Sequence, residues 1–295
     1  MNAATAQEPA LILGTAQLRG TYGAVGRPPT PRSDRAAGAL LQRAVDLGFA
    51  AVDTAPAYDD AETLIGQSAL GLAVHTKIDP DLTPAASLGR SLQRLRRTRV
   101  DLLYFHDPEI VTRDTRGLIN DASVLVGTEV GRLGASVYTS PELRAVIDDD
   151  RFGAVQVPMS VLDRSIDDTD LSRARARGLQ VFARSVFLQG VLLAPPGSIP
   201  RHLAQLVPYV ASLRTVAEAA GISVPALALG WVKMRPGIIG VVVGANSMRE
   251  LEQVAEAWAQ PALDDDALAA CRALPIPPPD LCDPRDWTGP GPDRE

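Results

Sequence analysis

Three short runs decide how this chain folds: Ala50-Ala51-Val52-Asp53-Thr54, Ala73-Val74-His75-Thr76-Lys77-Ile78 and Val100-Asp101-Leu102-Leu103-Tyr104-Phe105. Each is mostly apolar, with β-branched or aromatic residues, and each is too short for an ordinary helix. Helix-period stretches lie between them. Ala61, Leu64, Ile65 and Ser68 follow the first run, and Leu88, Leu92 and Leu95 follow the second, with Pro84 suited to a first helical turn. Strand, helix, strand, helix, strand is the rhythm of parallel βα units, since two parallel strands need a crossover and a helix supplies it. The continuous apolar character of Val100 to Phe105 fits a strand covered on both faces.

The same rhythm extends outward. Leu11 to Gly14 reads as an earlier strand. Ser33 then caps a helix whose stripe is Ala36, Leu40, Leu41, Ala44, Val45 and Leu47 and whose end is Gly48. Downstream come a strand at Gly131 to Val137, a helix capped at Ser140 with Pro141 at its first position, and a strand at Gly153 to Val157. A helix from Asp167 to Arg177 and strands at Leu179 to Arg184 and Ile238 to Val243 complete the series. Eight strands alternating with helices over roughly 250 residues predict an α/β protein, a single-domain (β/α)8 TIM barrel. The barrel is placed at residues 1–274 and a Pro-rich C-terminal tail at residues 275–295. The competing doubly wound sheet would carry a Gly-rich turn after its first strand, but Gly14, Gly20, Gly23 and Gly26 lack the G-x-G-x-x-G spacing, and no G-x-x-x-x-G-K-[ST] occurs. Asp107 to Arg116 and Gln189 to Pro200 interrupt the repeat at C-terminal strand ends, where barrel sites are built. The tail is either a disordered end or a lid over that face, and its composition favours disorder.

Composition narrows the function classes. The 295 residues are 46% hydrophobic and 22% charged, an ordinary profile for a soluble globular chain. A net charge of −6 argues against nucleic acid or a membrane surface as partner, because both attract basic faces. Met1 to Ala10 has neither a basic nor an apolar targeting region, so a cytoplasmic location is the expectation. Cys271 and Cys282 imply no bridge in a chain of this size, and no Cys, His and carboxylate cluster has metal-site spacing. Of 29 basic residues only Lys77 and Lys233 are lysines. An ammonium is a compact point charge that responds to burial, whereas a guanidinium is forked and always protonated. Lys77 ends a strand, and it is where arginine would not serve.

Polar residues at strand ends converge on a barrel's mouth. Asp53 ends one strand and Tyr58 follows it; Lys77 ends the next, and His106 the one after. Each alone has an ordinary structural explanation, as a cap, a half-buried ring or a strand-end hydrogen bond. Together they form an acid–base set: an ammonium balanced by a carboxylate beside a phenol makes that phenol a usable proton donor.

At these residues the chain resembles the aldo-keto reductases, from Gly14 to about Val254. Leu13-Gly14-Thr15-Ala16-Gln17 looks like the family's opening strand. Asp53-Thr54-Ala55 with Tyr58 and Glu62 through Gly66 looks like its D-T-A-x-x-Y-x-x-x-E-x-x-x-G signature, and Thr76-Lys77, Val100 to Leu103 and His106-Asp107-Pro108 resemble its next two blocks. The resemblance implies a barrel that holds NADP(H) without a Rossmann domain, with Asp53, Tyr58, Lys77 and His106 as the catalytic set. Tyr58 would protonate a carbonyl that accepts the nicotinamide hydride, His106 would orient it, and Lys77 with Asp53 would tune Tyr58. Ser136 and Gln156 correspond to residues that touch the carboxamide. Arg184-Ser185-Val186-Phe187-Leu188-Gln189-Gly190 resembles the cofactor loop after the seventh strand, with Arg184 where a tyrosine usually stacks. Gly244, Asn246, Ser247 and Arg249 precede or open a helix whose N-terminus suits a phosphate, and Gln253 stands near the adenine position. NADP(H) is favoured, with NAD(H) as the alternative. The expected partner is a small-molecule aldehyde, ketone or keto-sugar. The oxidative direction, as an aldose or alcohol dehydrogenase, and a cofactor-bound regulatory subunit without turnover remain open at this point.

Overall fold

A computed structural model describes residues 8–19, 22–25, 32–195 and 197–287 of the protein. Met1 to Gln7, Gly20, Gly26 and the tail beyond Trp287 lie outside the described residues. The first half runs β1 (Ala10–Gly14), α1 (Asp34–Asp46), β2 (Ala51–Asp53), α2 (Ala61–Ser68), β3 (Ala73–Lys77), α3 (Pro84–Leu95), β4 (Val100–Phe105), α4 (Glu109–Thr112), α5 (Leu118–Ser123) and β5 (Val130–Ser136). The second runs α6 (Ser140–Ile147), β6 (Ala154–Pro158), α7 (Asp168–Ala176), β7 (Gln180–Arg184), α8 (Val207–Ala219), α9 (Val224–Lys233), β8 (Ile238–Val243), α10 (Met248–Trp258), α11 (Asp265–Ala273) and α12 (Pro279–Cys282). The eight strands close into a barrel in sequence order, each parallel to the next and β8 parallel to β1.

Alternation along each strand separates two cores. Outward side chains such as Leu13, Val52, Val74, Leu103, Val155 and Val181 pack under the helices in one large cluster. Inward side chains form a second, smaller cluster of Ile12, Ala51, Leu102, Tyr104, Ala154 and Phe182. Two large rings fit because glycines face them. A Cβ on Gly134 would stand 2.5 Å from the Tyr104 ring, and one on Gly240 would stand 2.7 Å from Phe182. Two residues further along β2 to β7 the next inward layer is polar, and it opens at the C-terminal ends.

The helices begin where capping chemistry allows. Ser33, Thr83, Asp167, Ser223, Ser247 and Asp264 each accept a hydrogen bond from a backbone N–H of the following first turn. One cap moves by a residue from the expectation. Thr139, not Ser140, caps α6, because Glu142 three residues on completes a capping box, and this makes Pro141 the second helical residue. The Ser140 hydroxyl instead accepts from Asp167 N at 3.1 Å.

In the family-like signature, Glu62 and Gly66 serve this framework. The buried Glu62 carboxylate accepts from the Thr76 hydroxyl at 2.7 Å and from Arg94 at 3.3 Å. A Cβ on Gly66 would lie 2.2 Å from the Arg94 carbonyl oxygen, so only glycine lets α2 approach α3 this closely. The polar stretch after β4 folds in part into α4, and Arg113 and Arg116 are exposed. Of the two readings of the tail, the ordered one describes it as far as Trp287. Cys282 is buried, the Trp287 indole donates to Leu281 O at 3.0 Å, and the Arg285 guanidinium lies 3.7 Å from the Tyr138 ring centroid at the barrel rim. Both cysteines are free. No single helix among the described residues is long and apolar enough to cross a membrane.

Candidate active site

The polar inward layer is set by strand parity. Asp53 stands two residues beyond Ala51, Lys77 two beyond His75, His106 two beyond Tyr104, Ser136 two beyond Gly134, Gln156 two beyond Ala154 and Arg184 two beyond Phe182. Neighbouring registers, Asp53 with His75 and Lys77 with Tyr104, bring these ends to one level.

An ion pair sits at the bottom of the mouth. The Lys77 ammonium donates to Asp53 Oδ1 at 2.7 Å and to Thr54 O at 2.9 Å. Its side chain is 2% exposed, that of Asp53 5%. The other carboxylate oxygen accepts from Gln156 Nε2 at 2.7 Å, so both oxygens are committed. Burial pulls the Lys77 pKa down, but the Asp53 carboxylate and the Tyr58 phenol outweigh it, and the ammonium ends above the ordinary lysine value. Lys77 is therefore a fixed cation, and its Nζ lies 4.9 Å from the Tyr58 ring centroid.

Tyr58 projects from the turn after β2, where its N–H donates to Ala55 O at 3.1 Å. The next residue, Asp59, holds φ 47°, a left-handed conformation that a non-glycine residue adopts at some cost. His106 faces Tyr58 edge to face with ring centroids 6.5 Å apart. Burial, and then the cations Lys77 and Arg184, push the His106 pKa down to about 4. At neutral pH the ring is uncharged, with one N–H to give and one lone pair.

These side chains line a cavity of about 320 Å³ that continues past Ser136, Gln156 and Arg184 to Gly244, Asn246 and Glu250. One wall is a relay of hydrogen bonds: Arg184 Nε donates to Ser136 Oγ at 3.2 Å, and the Ser136 hydroxyl donates to Gln156 Oε1 at 3.4 Å. Loops from β1 and β7 cross above the mouth. Ser185 (φ 60°), Leu188 (φ 45°) and Gln189 (φ 51°) are all left-handed. This winding turns Gln189 O toward the N–H groups of Ala24 and Val25, at 3.1 and 3.4 Å, and Gln189 Nε2 donates to the Tyr22 hydroxyl at 3.0 Å. At the far end a Cβ on Gly244 would lie 1.4 Å from Gln17 Oε1, Glu250 accepts from Asn246 N at 2.7 Å, and the buried Asn246 Oδ1 has no partner among the described residues.

Of the residues singled out in the sequence, the cavity brings together Asp53, Tyr58, Lys77, His106, Ser136, Gln156, Arg184, Ser185, Phe187, Gln189, Gly190, Gly244 and Asn246. Ser247, Arg249 and Gln253 are not among its lining residues: Ser247 caps α10, and Arg249 and Gln253 are exposed on its first two turns. Thr15, Gln17, Tyr22, Tyr138 and Glu250 line the cavity without having been singled out for a role. Thr15 and Gln17 sit in the opening run quoted above, and Thr15 donates twice to Asp53 O, from N–H and hydroxyl, at 2.9 Å each. Tyr22 and Tyr138 belong to irregular segments, where an aromatic residue carries no periodic signal.

Comparison with known proteins gives the family of the chain. Residues 10–276 match the Aldo/keto reductase family. The chain is 26% identical over 255 residues to a 6-dehydroglucose reductase of Novosphingobium aromaticivorans, covering 77% of this chain and 81% of that protein. It is 27% identical over 242 residues to an oxidoreductase of Mycobacterium tuberculosis, covering 72% of this chain and 74% of that one. Among solved structures, an aldo-keto reductase from Klebsiella pneumoniae in complex with NADPH superposes with a TM-score of 0.68 at 25% identity, covering 92% of each chain. The chain belongs to the aldo/keto reductase family and is an oxidoreductase.

Proposed function

We propose that this aldo/keto reductase uses NADP(H) to reduce the carbonyl of a small aldehyde, ketone or keto-sugar, with Tyr58 as proton donor. The observation that carries this reading is the buried Asp53–Lys77 pair beneath Tyr58, in one cavity with a neutral His106. The residues present fit the cofactor. Ser136 and Gln156 offer the hydroxyl and amide that a carboxamide requires, and the orphaned Asn246 Oδ1 awaits a donor at the other end. Gln17 and Val25, which approach the bare backbone of Gly244 and Gly190, line the same cavity. When bound, the reduced nicotinamide supplies a hydride to the carbonyl carbon.

The chain's own residues do the rest. The Tyr58 hydroxyl gives its proton to the carbonyl oxygen as that oxygen gains charge, and the O–H bond of the phenol becomes the O–H bond of the alcohol. The Lys77 ammonium stabilises the phenolate left behind until solvent reprotonates it. Asp53 keeps that ammonium charged and Gln156 keeps Asp53 in place. His106 donates its one N–H toward the carbonyl oxygen and fixes its direction. Consumption of NADPH with a panel of aldehydes, ketones and keto-sugars tests the reading. Turnover by the wild type is expected; an inert wild type, indistinguishable from Tyr58→Phe and co-purifying with a stable partner, would overturn it.

A further inference from the structure

The charge on the cavity wall is unbalanced where the reaction would occur. Its charged lining residues are Asp53, Lys77, Arg184 and Glu250. Asp53 and Lys77 neutralise each other. Glu250 lies at the far end, engaged by Asn246 N. Near Tyr58 and His106 one positive charge remains, that of Arg184. No carboxylate among the described residues comes within 4.0 Å of its guanidinium. Neither nearby acid forms an ion pair with it: Asp163 accepts from the Ser165 hydroxyl at 2.7 Å, and Asp283 pairs with Arg285 at 2.6 Å.

The guanidinium is also held still. Nε donates to Ser136 Oγ at 3.2 Å, Nη1 to Ser185 Oγ at 3.2 Å and Nη2 to Val137 O at 3.0 Å. The Tyr138 ring covers one of its faces, with the centroid 4.2 Å from Cζ, and Arg285 of the tail packs on that same ring at 3.7 Å. These three bonds use three of the five N–H donors and leave one on each Nη. A preorganised cation with two adjacent donors and no acidic partner is the complement of a carboxylate. It lines the same cavity as Tyr58 and His106.

We infer that the substrate is a carbonyl compound that also bears an anionic group, a carboxylate before all others, and that Arg184 recognises this group. The inference rests on the carbonyl-reductase reading above and narrows its substrate class. It assigns Arg184 to specificity: the residue selects which carbonyl compound is held against Tyr58.

Matched substrates test it. The kcat/KM values of 4-oxobutanoate against butanal, of 4-formylbenzoate against 4-formylbenzamide and of glyceraldehyde 3-phosphate against glyceraldehyde are measured for the wild type, Arg184→Gln and Arg184→Lys. Taking each ratio within one variant cancels any common effect on the cofactor. The charged member is expected to be favoured about tenfold or more in the wild type. The ratio should fall toward one in Arg184→Gln, with an intermediate value in Arg184→Lys, which keeps the charge but loses the fork. A larger ratio for the phosphate pair than for the carboxylate pairs would name phosphate as the anion. A second measurement needs no turnover: calorimetric binding of benzoate should be about tenfold or more tighter than that of benzamide in the wild type, and equal in Arg184→Gln. Ratios near one in the wild type, or ratios unchanged in Arg184→Gln, overturn the inference while leaving carbonyl reduction standing. Benzoate selectivity without consumption of any carbonyl would instead sink the reductase reading and retain Arg184 as an anion site.

Discussion

Asp53→Asn preserves shape and removes one charge, so it isolates what the buried pair does. At 2.7 Å the Lys77–Asp53 attraction is on the order of 6 kcal/mol gross at an effective dielectric near 20. Loss of one partner from a buried pair costs about 3–5 kcal/mol, because the other charge stays behind uncompensated. The new amide also turns an N–H₂ toward Gln156 Nε2, which at present donates to Asp53 Oδ2 at 2.7 Å. For a domain of this size a Tm drop of roughly 6–10 °C follows. The pH dependence has a definite sign. In the wild type the folded-state Lys77 pKa lies above its unfolded value, so this contribution is intact below the ordinary lysine range and is lost as pH rises through the folded value. In Asp53→Asn burial dominates and depresses it, so the variant gains stability as pH rises toward about 10. The Tm gap should be widest near neutrality and narrow under alkaline conditions, and the alkaline limb of kcat/KM should move to lower pH. Scanning calorimetry from neutral to alkaline pH and a pH–rate profile read both. A Tm within about 2 °C of wild type with an unmoved profile would refute the role given to the pair.

Lys77→Arg keeps the charge but crowds a fully buried site, and should lower turnover by at least a hundredfold while the protein still melts cooperatively; near wild-type activity would remove Lys77 from the chemistry. His75 and His106 both have pKa values pushed down to about 4, chiefly by burial, so the unfolded chain binds more protons between that value and about 6.5. Stability should fall as pH drops through this window, by up to roughly 3 kcal/mol per histidine, and a Tm series on wild type and His75→Gln would show the variant with the shallower slope. Gly66→Ala drives a methyl group into the backbone of α3 and should destabilise by about 2 kcal/mol or more in urea unfolding, with the surviving folded protein still binding NADPH.

Much of this architecture was readable in the chain because it rests on local period. The strand runs at Val100 and Ile238 coincide with β4 and β8, and the others lie within two residues of observed strands, because buried parallel strands are short apolar runs. Part of the inward polar layer was readable as well, since Asp53 and Lys77 each end a strand, whereas Gln156, in the middle of β6, was singled out by the family resemblance alone. What was not readable depends on contacts far apart in the chain. Tyr22 reaches the mouth only because the β7 loop turns through left-handed residues to meet it. Composition pointed the tail toward disorder, yet Cys282 and Arg285 find their places against Leu162 and Tyr138, more than a hundred residues away. The double tie of Gln156, to Ser136 and to Asp53, is likewise a property of the closed barrel, not of any segment.

The most direct measurement is single-turnover oxidation of bound NADPH by an aldehyde in the wild type and in Tyr58→Phe, with NADPH affinity read by fluorescence in the same preparations. The expected result is rapid oxidation in the wild type and a loss of about 10² to 10⁴ in Tyr58→Phe, the range general acid catalysis supplies, with affinity unchanged. Equal rates in the two proteins would contradict the assignment of Tyr58 as proton donor.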